Sequence, residues 1–448
     1  MKLEEKILKA HDRQIRLAGL VAKVGYDTPL GKFLRLGAYY MDAFIMLKHW
    51  VPFLNTRWSE IGNRFYAVDQ AIMHADHASV KALMQTEPQW RGNDLGIIRM
   101  LAPSYLLNHP LSLGMNGAEH AGVRTVFLKA LPDPKQAAAV IGELVDQRLG
   151  LFAQKGQLQI GTDLPRLMVW VLHQLVFQLD LSEQEITASH AYIKGLALAS
   201  MPNFISQYLL SFKTKPNIRH RQNLLDRYQQ SPKWAEYAEL GRSQGIDAAT
   251  IANSLFDMIH IAGTAGTSAL LGSVIGVLCL KPELQTQVVE EINSAWDGAA
   301  PPTGVALEAL PLFEKVIYET ARLYPPVRFV SQLAQAPGQV AIGSEKCPFQ
   351  KGTRLLGSIF TANRDATRYR NPDQFDLDRD FSDLLSWNGS GHERVCPGQA
   401  LSIGLIQIVC LYLYKRYQWS SFTQVEWDFN KVTAVTPNHT VLQGFSRQ

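Results

Sequence analysis

The sequence predicts a mainly α-helical fold with a small β part, arranged as a single large domain over residues 1–448. Long apolar segments recur at helical spacing, whereas the strand-like runs are few and short. No internal repeat and no low-complexity linker divides the chain. Length alone would suggest about three domains of ~150 residues, but a large helical domain does not follow that expectation.

The individual elements follow from local patterns along the chain. Residues 64–85 predict a short strand, a turn and an amphipathic helix. A helix is predicted over 117–131 with Glu119 in its first turn, and another over 137–156 that Gly156 closes. Further helices are predicted over 164–181, over 248–296 with a break at Pro282, over 310–326 where Pro325 and Pro326 end the helix, and over 400–417. Short strands are predicted near 338–343 and 352–360.

The charge distribution disfavours one class of partner. A net charge of +4 is small for 448 residues, which argues against nucleic acid as the main partner, because phosphate binding usually requires a clustered basic surface. The basic run at residues 213–222 is expected to be a solvated loop.

Cysteine usage and hydropathy bear on the compartment. The four cysteines at 279, 347, 396 and 410 are too few for a disulfide-rich secreted protein, and the N-terminus lacks the apolar core of a signal peptide. We therefore expect a cytoplasmic protein. Charged residues interrupt the apolar stretch 39–54, which predicts a core-facing helix and no transmembrane segment.

The segment "NGSGHERVCPGQALSIG", residues 388–404, places one cysteine between a glycine-rich turn and a predicted helix start. A thiolate at this position is stabilised by the positive end of the helix dipole, and His392 and Arg394 add positive charge. Gly398 lets the backbone approach a flat group closely. The paired cysteines of a structural zinc site are absent. By itself, Cys396 could be a buried structural residue, a nucleophile or a metal ligand.

A second pattern lies upstream of this cysteine. Glu319 and Arg322 share one face of a predicted helix, and alone such a pair is ordinarily an exposed ion pair. It is followed in order by PPV, KGT, A-x-R-D, N-P-x-x-F-x-x-x-R and G-x-x-R-x-C-x-G, all between residues 319 and 398. This ordered set resembles the cytochrome P450 family of haem-thiolate enzymes. The resemblance runs from about residue 117 to the end of the chain, and it implies the cytochrome P450 fold.

The resemblance also implies roles for particular residues. Cys396 would be the axial thiolate ligand of the iron of haem b, where it favours O–O cleavage. Glu319, Arg322 and Arg379 would form a buried ion network. The cofactor-binding residues that the resemblance implies are His120, Arg124, Arg394, Trp387 and Gly398. An exposed helix arginine is the alternative for Arg124.

The loop before the cysteine departs from the family pattern. It is one residue longer than usual, and Trp387 or Asn388 stands where the family has Phe. Trp387 would then cover the sulfur as that Phe does, or it is a plain core tryptophan.

The predicted helix over 248–280 would cross the distal face of the haem, and it departs from the family pattern in its chemistry. Aligning "AGTAGTS", residues 262–268, places Ala265 at the usual acid and Gly266 at the usual alcohol, so neither can relay a proton. Thr264 and Thr267 flank this gap, and either would hold a water. His260 lies within two turns of this gap, and we expect it to be a core residue whose ring nitrogens are hydrogen-bonded.

The resemblance implies a haem-thiolate oxidoreductase, with monooxygenation of a small hydrophobic substrate as the family default. A ferredoxin- or flavodoxin-type redox partner would be separate, because no such segment is recognisable in the sequence. The missing acid–alcohol pair favours an alternative, a peroxide-using or hydroperoxide-rearranging enzyme such as a peroxygenase or an allene oxide synthase-like protein. A non-catalytic haem sensor is the lesser alternative.

Overall fold

A computed structural model gives the fold. It describes residues 71–74, 76–85, 112–199, 211–342, 345–349, 354–427 and 435–448, with a few isolated positions within 16–34 and at 109 and 351. The predicted helix at 39–54 lies outside the described residues and stays a prediction.

The described helices build most of the fold, which confirms the mainly α-helical prediction. In chain order they are α1 (His77–Met84), α2 (Gly117–Ala130), α3 (Ala138–Gln154), α4 (Ile160–Phe177), α5 (Glu183–Ala199), α6 (Ser211–Gln229), α7 (Trp234–Ser243), α8 (Ala248–Asp257), a π-helical segment (Met258–Thr264), α9 (Ala265–Leu280), α10 (Pro282–Ala295), α11 (Gly304–Glu308), α12 (Pro311–Leu323), α13 (Ile359–Ala362) and α14 (Gln399–Arg416).

The strands are short and form small sheets at the side of the helical body. They are β1 (Ala71–His74), β2 (Gln157–Gln159), β3 (Phe329–Leu333), β4 (Gly338–Ile342), β5 (Glu345–Phe349), β6 (Arg354–Ser358), β7 (Tyr417–Gln418), β8 (Ser421–Phe422), β9 (Val441–Gln443) and β10 (Ser446–Arg447). In one sheet β6 is central, parallel to β1 and antiparallel to β3. The other pairings are antiparallel: β2 and β8 with β9, β4 with β5, and β7 with β10.

The core lies where α4, α9 and α14 meet the surrounding helices. α14 is buried over almost its whole length, as expected for a helix that is apolar on nearly all sides. α9 packs closely along α4: a Cβ at Gly272 would lie 2.7 Å from Ile160, so only glycine permits this approach. Ile160 is almost fully buried at this contact, and burying a large aliphatic side chain contributes about 1.5–3 kcal/mol.

The predicted helix over 248–296 is found, and it breaks at Pro282. Its backbone is not α-helical throughout, because Met258–Thr264 is π-helical. α8, the π-helical segment and α9 form one continuous run over 248–280, which we call the distal helix. Within the described part of the chain, this is the one helix long and apolar enough to cross a membrane, and most of it is buried inside the protein.

Three local predictions differ from the structure. The basic run 213–222 is not a solvated loop but part of α6, with Arg221 fully buried. The predicted strand near 352–360 ends at Ser358, whose side chain caps α13 by accepting from the Thr361 amide. The predicted helix over 164–181 begins at Ile160 and ends at Phe177, because Gln178 adopts the left-handed conformation.

Candidate functional site

Cys396 follows a strained loop that bends back on itself. Trp387 and Asn388 have φ of +57° and +67°, values that residues other than glycine rarely adopt. The bend allows the Cys396 amide to donate to the Trp387 carbonyl at 2.9 Å, and the Asn388 side chain to donate to the Arg394 carbonyl at 2.8 Å. Each such conformation costs about 1–3 kcal/mol and persists where surrounding contacts enforce it, often at functional sites.

The indole of Trp387 connects this loop to two helices. Its Nε1 donates to Ser402 Oγ of α14 at 2.9 Å, and its ring meets Tyr318 of α12 edge-on with centroids 5.9 Å apart. Its contacts include those of a core tryptophan, since it packs against the main hydrophobic core. That it also covers the Cys396 sulfur stays a prediction.

The fold alone does not lower the pKa of the Cys396 thiol. Burial raises the pKa of Cys396 above its usual value, although the Gly398 amide and Arg124 act in the opposite direction. The helix start and a neighbouring positive charge therefore lower the pKa as expected, but in the metal-free protein removal from water outweighs them. A metal ion bound by the sulfur would reverse this, since a coordinating thiol is deprotonated outright.

Two arginines join the cysteine loop to the start of α2. The Arg394 guanidinium donates to the Met115 carbonyl at 2.7 Å and to Asn116 Oδ1 at 2.6 Å. Arg124, two turns into α2, donates to the Val395 carbonyl at 2.8 Å. His120 lies one turn before Arg124 and is half-buried. Arg124 is therefore not an ordinary exposed helix arginine, and its guanidinium lies beside the backbone of the residue preceding Cys396.

Glu319, Arg322 and Arg379 form one ion network. Glu319 and Arg322 are fully buried, with two guanidinium–carboxylate bonds of 2.7 and 2.8 Å between them. Arg379 Nε donates to the same carboxylate at 3.2 Å, and its side chain is only 6% exposed. Arg322 also donates to the carbonyls of Asn363, Pro372 and Gln374 at 2.6–3.0 Å. The network thus fixes the loop region that precedes the cysteine segment.

The distal helix has an accessible face made of residues without functional groups. Ala262 is exposed, and Ile261, Gly263, Ala265 and Gly266 are half-buried, whereas Thr264 and residues 267–270 are buried. Ala262, Ala265 and Gly266 are three and four residues apart and so lie on one side of the helix. A Cβ added at Gly266 would meet no atom of the described residues within 4 Å, so this face borders open space.

Thr264 and Thr267 point elsewhere. Thr264 is fully buried and its hydroxyl has no hydrogen-bond partner among the described residues, and Thr267 is only 5% exposed. His260 is also fully buried, with its ring nitrogens bonded to the Phe256 carbonyl and to Ser189, which confirms it as a satisfied core residue. Neither threonine hydroxyl shares the accessible face.

Several residues that hold the site carry no signal in the sequence. Asn116 occupies the N-cap position of α2 but does not cap the helix with its side chain, which binds Arg394 instead. Ser402 holds the indole of Trp387, and Ser386 donates to the Ala321 carbonyl at 2.8 Å. These polar residues are placed by tertiary contacts, and only the neighbouring cysteine motif could have drawn attention to them.

The residues present fit a flat, iron-containing group at Cys396. Gly398 has φ −95°, so its backbone does not require glycine, and an added Cβ would make only ordinary contacts with Leu131 and the Cys396 sulfur. Glycine here therefore leaves room next to the sulfur rather than relieving contact with the protein. The cationic side chains of Arg124 and Arg394 lie close by, where they suit a group with carboxylates.

The sequence is similar to those of several known proteins. Ferruginol synthase of Salvia pomifera is 24% identical over 169 residues, which are 36% of this chain and 37% of that protein. Allene oxide synthase 3 of Solanum lycopersicum is 24% identical over 242 residues, 50% of this chain and 48% of that protein. Germacrene A hydroxylase of Helianthus annuus is 22% identical over 304 residues, 66% and 56% of the two chains. The chain thus spans about a third to just over half of the length of these relatives.

The family assignment rests on a longer match. A family model described as Cytochrome P450 matches residues 168–442, more than half of the chain. This range contains the ion network, the cysteine loop and the whole distal helix. The chain therefore belongs to the cytochrome P450 family.

Proposed function

We propose that this protein is a haem-thiolate oxidoreductase that acts on a small hydrophobic molecule. Cys396 would bind the iron of haem b, and His120, Arg124 and Arg394 would lie at the propionates. When bound, such a haem supplies oxidising chemistry, because the thiolate favours O–O cleavage. The observation that carries the proposal is the strained loop that presents Cys396 beside Gly398, with Arg124 and Arg394 adjacent.

The substrate class follows from the residues of the accessible face. Ala262, Ala265 and Gly266 offer small apolar surface and no charge, so a molecule placed against them must be largely apolar. Monooxygenation with electrons from a separate ferredoxin- or flavodoxin-type partner is the first candidate reaction. We also propose a cytoplasmic location, which suits a chain with only four cysteines in 448 residues.

A second candidate is favoured by the same face. Dioxygen must take up two electrons and two protons to reach the oxidation level of a peroxide. Ala265 and Gly266 can give no proton, and the hydroxyls of Thr264 and Thr267 are buried away from the accessible face. A peroxide already carries these electrons and protons. We propose that the protein uses a peroxide or rearranges a hydroperoxide more readily than it couples dioxygen, since general acid–base help is worth about 10²–10⁴ in rate.

The experiment that tests the first proposal is the spectrum of the reduced protein with carbon monoxide. Purified protein should be red and show the far-red Soret band typical of thiolate ligation. Cys396→Ser should lose this band. Cys410→Ser is the matched control, because Cys410 is buried in the same helical region but lies within α14. A Cys396→Ser protein that keeps the band contradicts the assignment.

The oxidant is decided by a side-by-side assay with ligands that give a spectral shift on binding. Fatty-acid and terpenoid ligands are incubated with NADPH and a surrogate reductase pair, or with hydrogen peroxide or a fatty-acid hydroperoxide. We expect weak coupling of electrons to product in the first system and better turnover in the second. Tight coupling without peroxide activity supports ordinary monooxygenation instead. Haem binding with no turnover in either system supports a sensor.

A further inference from the structure

Two aromatic rings and a carboxylate lead away from the cysteine loop. Trp387 of that loop meets Tyr318 of α12 edge-on, with ring centroids 5.9 Å apart. The Tyr318 hydroxyl donates to Glu314 Oε1 at 2.8 Å, one turn earlier in the same helix. We call Trp387, Tyr318 and Glu314 the aromatic relay. Neither Tyr318 nor Glu314 has a role in the haem site proposed above.

The inner end of the aromatic relay is bonded to the cysteine segment at two points. The Trp387 carbonyl accepts from the Cys396 amide at 2.9 Å. The indole Nε1 donates to Ser402 Oγ at 2.9 Å, and the Ser402 amide donates to the carbonyl of Gly398 at 2.8 Å. Gly398 follows Cys396 by two residues. Both the backbone and the indole of Trp387 are therefore connected by hydrogen bonds to the segment that carries the sulfur.

The outer end of the aromatic relay lies at the protein surface. Tyr318 and Glu314 are both half-buried. Glu308 and, more weakly, Glu314 raise the pKa of Lys135, whose side chain is 55% exposed. The carboxylate of Glu314 therefore lies near an open part of the surface, where small solutes can approach it.

The bond between Tyr318 and Glu314 suits oxidation of the phenol. Tryptophan and tyrosine are the side chains that most readily give up one electron without breaking a bond between heavy atoms. Burial and the bond to Glu314 raise the pKa of Tyr318, so the phenol is protonated at neutral pH and must release this proton when it loses an electron. A carboxylate that already accepts the hydroxyl hydrogen is placed to take the proton.

A second tyrosine of the same region is unsuited to this chemistry. Tyr369 lies beside the ion network, and the guanidinium groups of Arg322, Arg368 and Arg379 are 5.1–6.0 Å from its ring centre. Three positive charges oppose the loss of an electron from this ring. The Tyr369 hydroxyl is also buried without a hydrogen-bond partner among the described residues that could take its proton. Tyr318 is thus distinguished by the partner of its hydroxyl.

The composition of the accessible face creates a need for such a route. Ala265 and Gly266 offer no proton there, which favours direct use of a peroxide. When no substrate is bound, the oxidising equivalents of that peroxide stay at the site. They would then degrade the haem or oxidise the Cys396 sulfur, a change that is effectively irreversible from the sulfinic acid onward.

We propose that the aromatic relay carries oxidising equivalents from the haem site to the protein surface when no substrate consumes them. Trp387 gives one electron to the oxidised site and regains one from Tyr318, whose hydroxyl proton passes to Glu314. A small reductant at the surface, such as ascorbate, returns the electron, and Glu314 returns the proton. Two such cycles, with two protons from solvent, reduce one hydrogen peroxide to two waters. The route rests on the proposed function, because Cys396 must first hold the haem.

The test is treatment of the haem-loaded protein with hydrogen peroxide in the absence of substrate. Tyr318→Phe keeps a ring that packs edge-on against Trp387 and removes only the hydroxyl. Glu314→Gln keeps an oxygen that accepts from Tyr318 but cannot take its proton. Tyr369→Phe is the matched control, because it also removes one tyrosine hydroxyl from the surroundings of the ion network.

The first readout is electron paramagnetic resonance of samples frozen rapidly after mixing. We expect a tyrosyl radical in the parent and in Tyr369→Phe, and its loss in Tyr318→Phe. In Glu314→Gln the radical should form about 100-fold more slowly, since a positioned proton acceptor is worth about 10²–10⁴ in rate. The second readout is bleaching of the Soret band by peroxide. Ascorbate should slow this bleaching in the parent and in Tyr369→Phe but not in Tyr318→Phe.

A Tyr318→Phe protein with the tyrosyl signal of the parent overturns the proposal, and so does equal protection of both proteins by ascorbate. Loss of the signal in Tyr369→Phe to the same extent also overturns it, because the hydroxyl without a proton acceptor would then serve equally well. A parent that shows the thiolate band but no tyrosyl radical refutes the aromatic relay and leaves the proposed function intact. A parent without the thiolate band refutes both.

Discussion

Replacement of Arg322 should leave little haem-loaded soluble protein, because we expect this residue to act in haem retention and not in turnover. In Arg322→Ala the Glu319 carboxylate stays fully buried and loses two charge-assisted bonds of 2.7 and 2.8 Å. Removing one partner of a buried ion pair costs about 3–5 kcal/mol. Each of the three carbonyls that lose a donor adds about 1–3 kcal/mol where water cannot replace it. The sum approaches the whole stability of a typical domain, about 5–15 kcal/mol.

The assay is the ratio of haem absorbance to protein absorbance in the soluble fraction, followed by thermal unfolding. The control is Arg242→Ala, because Arg242 pairs with Glu239 at the same i,i+3 spacing but both side chains are about 70% exposed, at 74% and 69%. That exposed pair should matter little. An Arg322→Ala protein that loads haem and melts like the parent would refute the reasoning, since burial and not spacing is the source of the expected difference.

The remaining predictions concern pH, the proximal arginines and the distal face. Burial lowers the pKa of His173 to about 4 from 6.5, so the unfolded state binds the extra proton between these values. The free energy of unfolding should therefore fall between pH 6.5 and pH 4, and denaturant titrations should find this fall smaller by roughly 3 kcal/mol in His173→Phe, with the remainder due to His74, His190, His220 and His260, whose pKa values burial also lowers. Asn116→Ala should weaken haem retention, measured by transfer to apomyoglobin, because Arg394 loses a bond of 2.6 Å, while Asn293→Ala at the surface should not. Ala265→Asp combined with Gly266→Thr should raise the fraction of NADPH electrons that reach product, because a Cβ at Gly266 meets open space; unchanged coupling would contradict the role given to this face.

The parts of the fold that the sequence predicts are those with a local cause. Glu319 and Arg322 share a helix face whatever surrounds them, and Pro282 breaks the helix through its own ring and missing amide. The site residues with unusual backbone geometry, such as Trp387 and Asn388, were recognisable only as members of an ordered motif. Their φ values and bonds depend on the folded loop.

The errors share one physical origin, which is burial by distant parts of the chain. The run 213–222 has the charge of a solvated loop, yet Arg221 is buried because Tyr192 and Asp257, 29 and 36 residues away, supply its partners. Cys396 has the helix start and neighbouring charges of a low-pKa thiol, yet desolvation raises its pKa.

The two sides of the proposed haem site place different demands on the sequence, so we expect the distal chemistry to change more readily than haem binding. On the proximal side, Arg124, Arg322 and Arg394 donate largely to backbone carbonyls, which any residue provides. Many substitutions are therefore neutral there, but loss of an arginine is not. On the distal side, Ala265 is half-buried and a Cβ at Gly266 would meet no described atom within 4 Å, so replacement of either residue should change the chemistry with little effect on folding. Variation of oxidant use should accordingly arise at these two positions without compensating changes near Cys396.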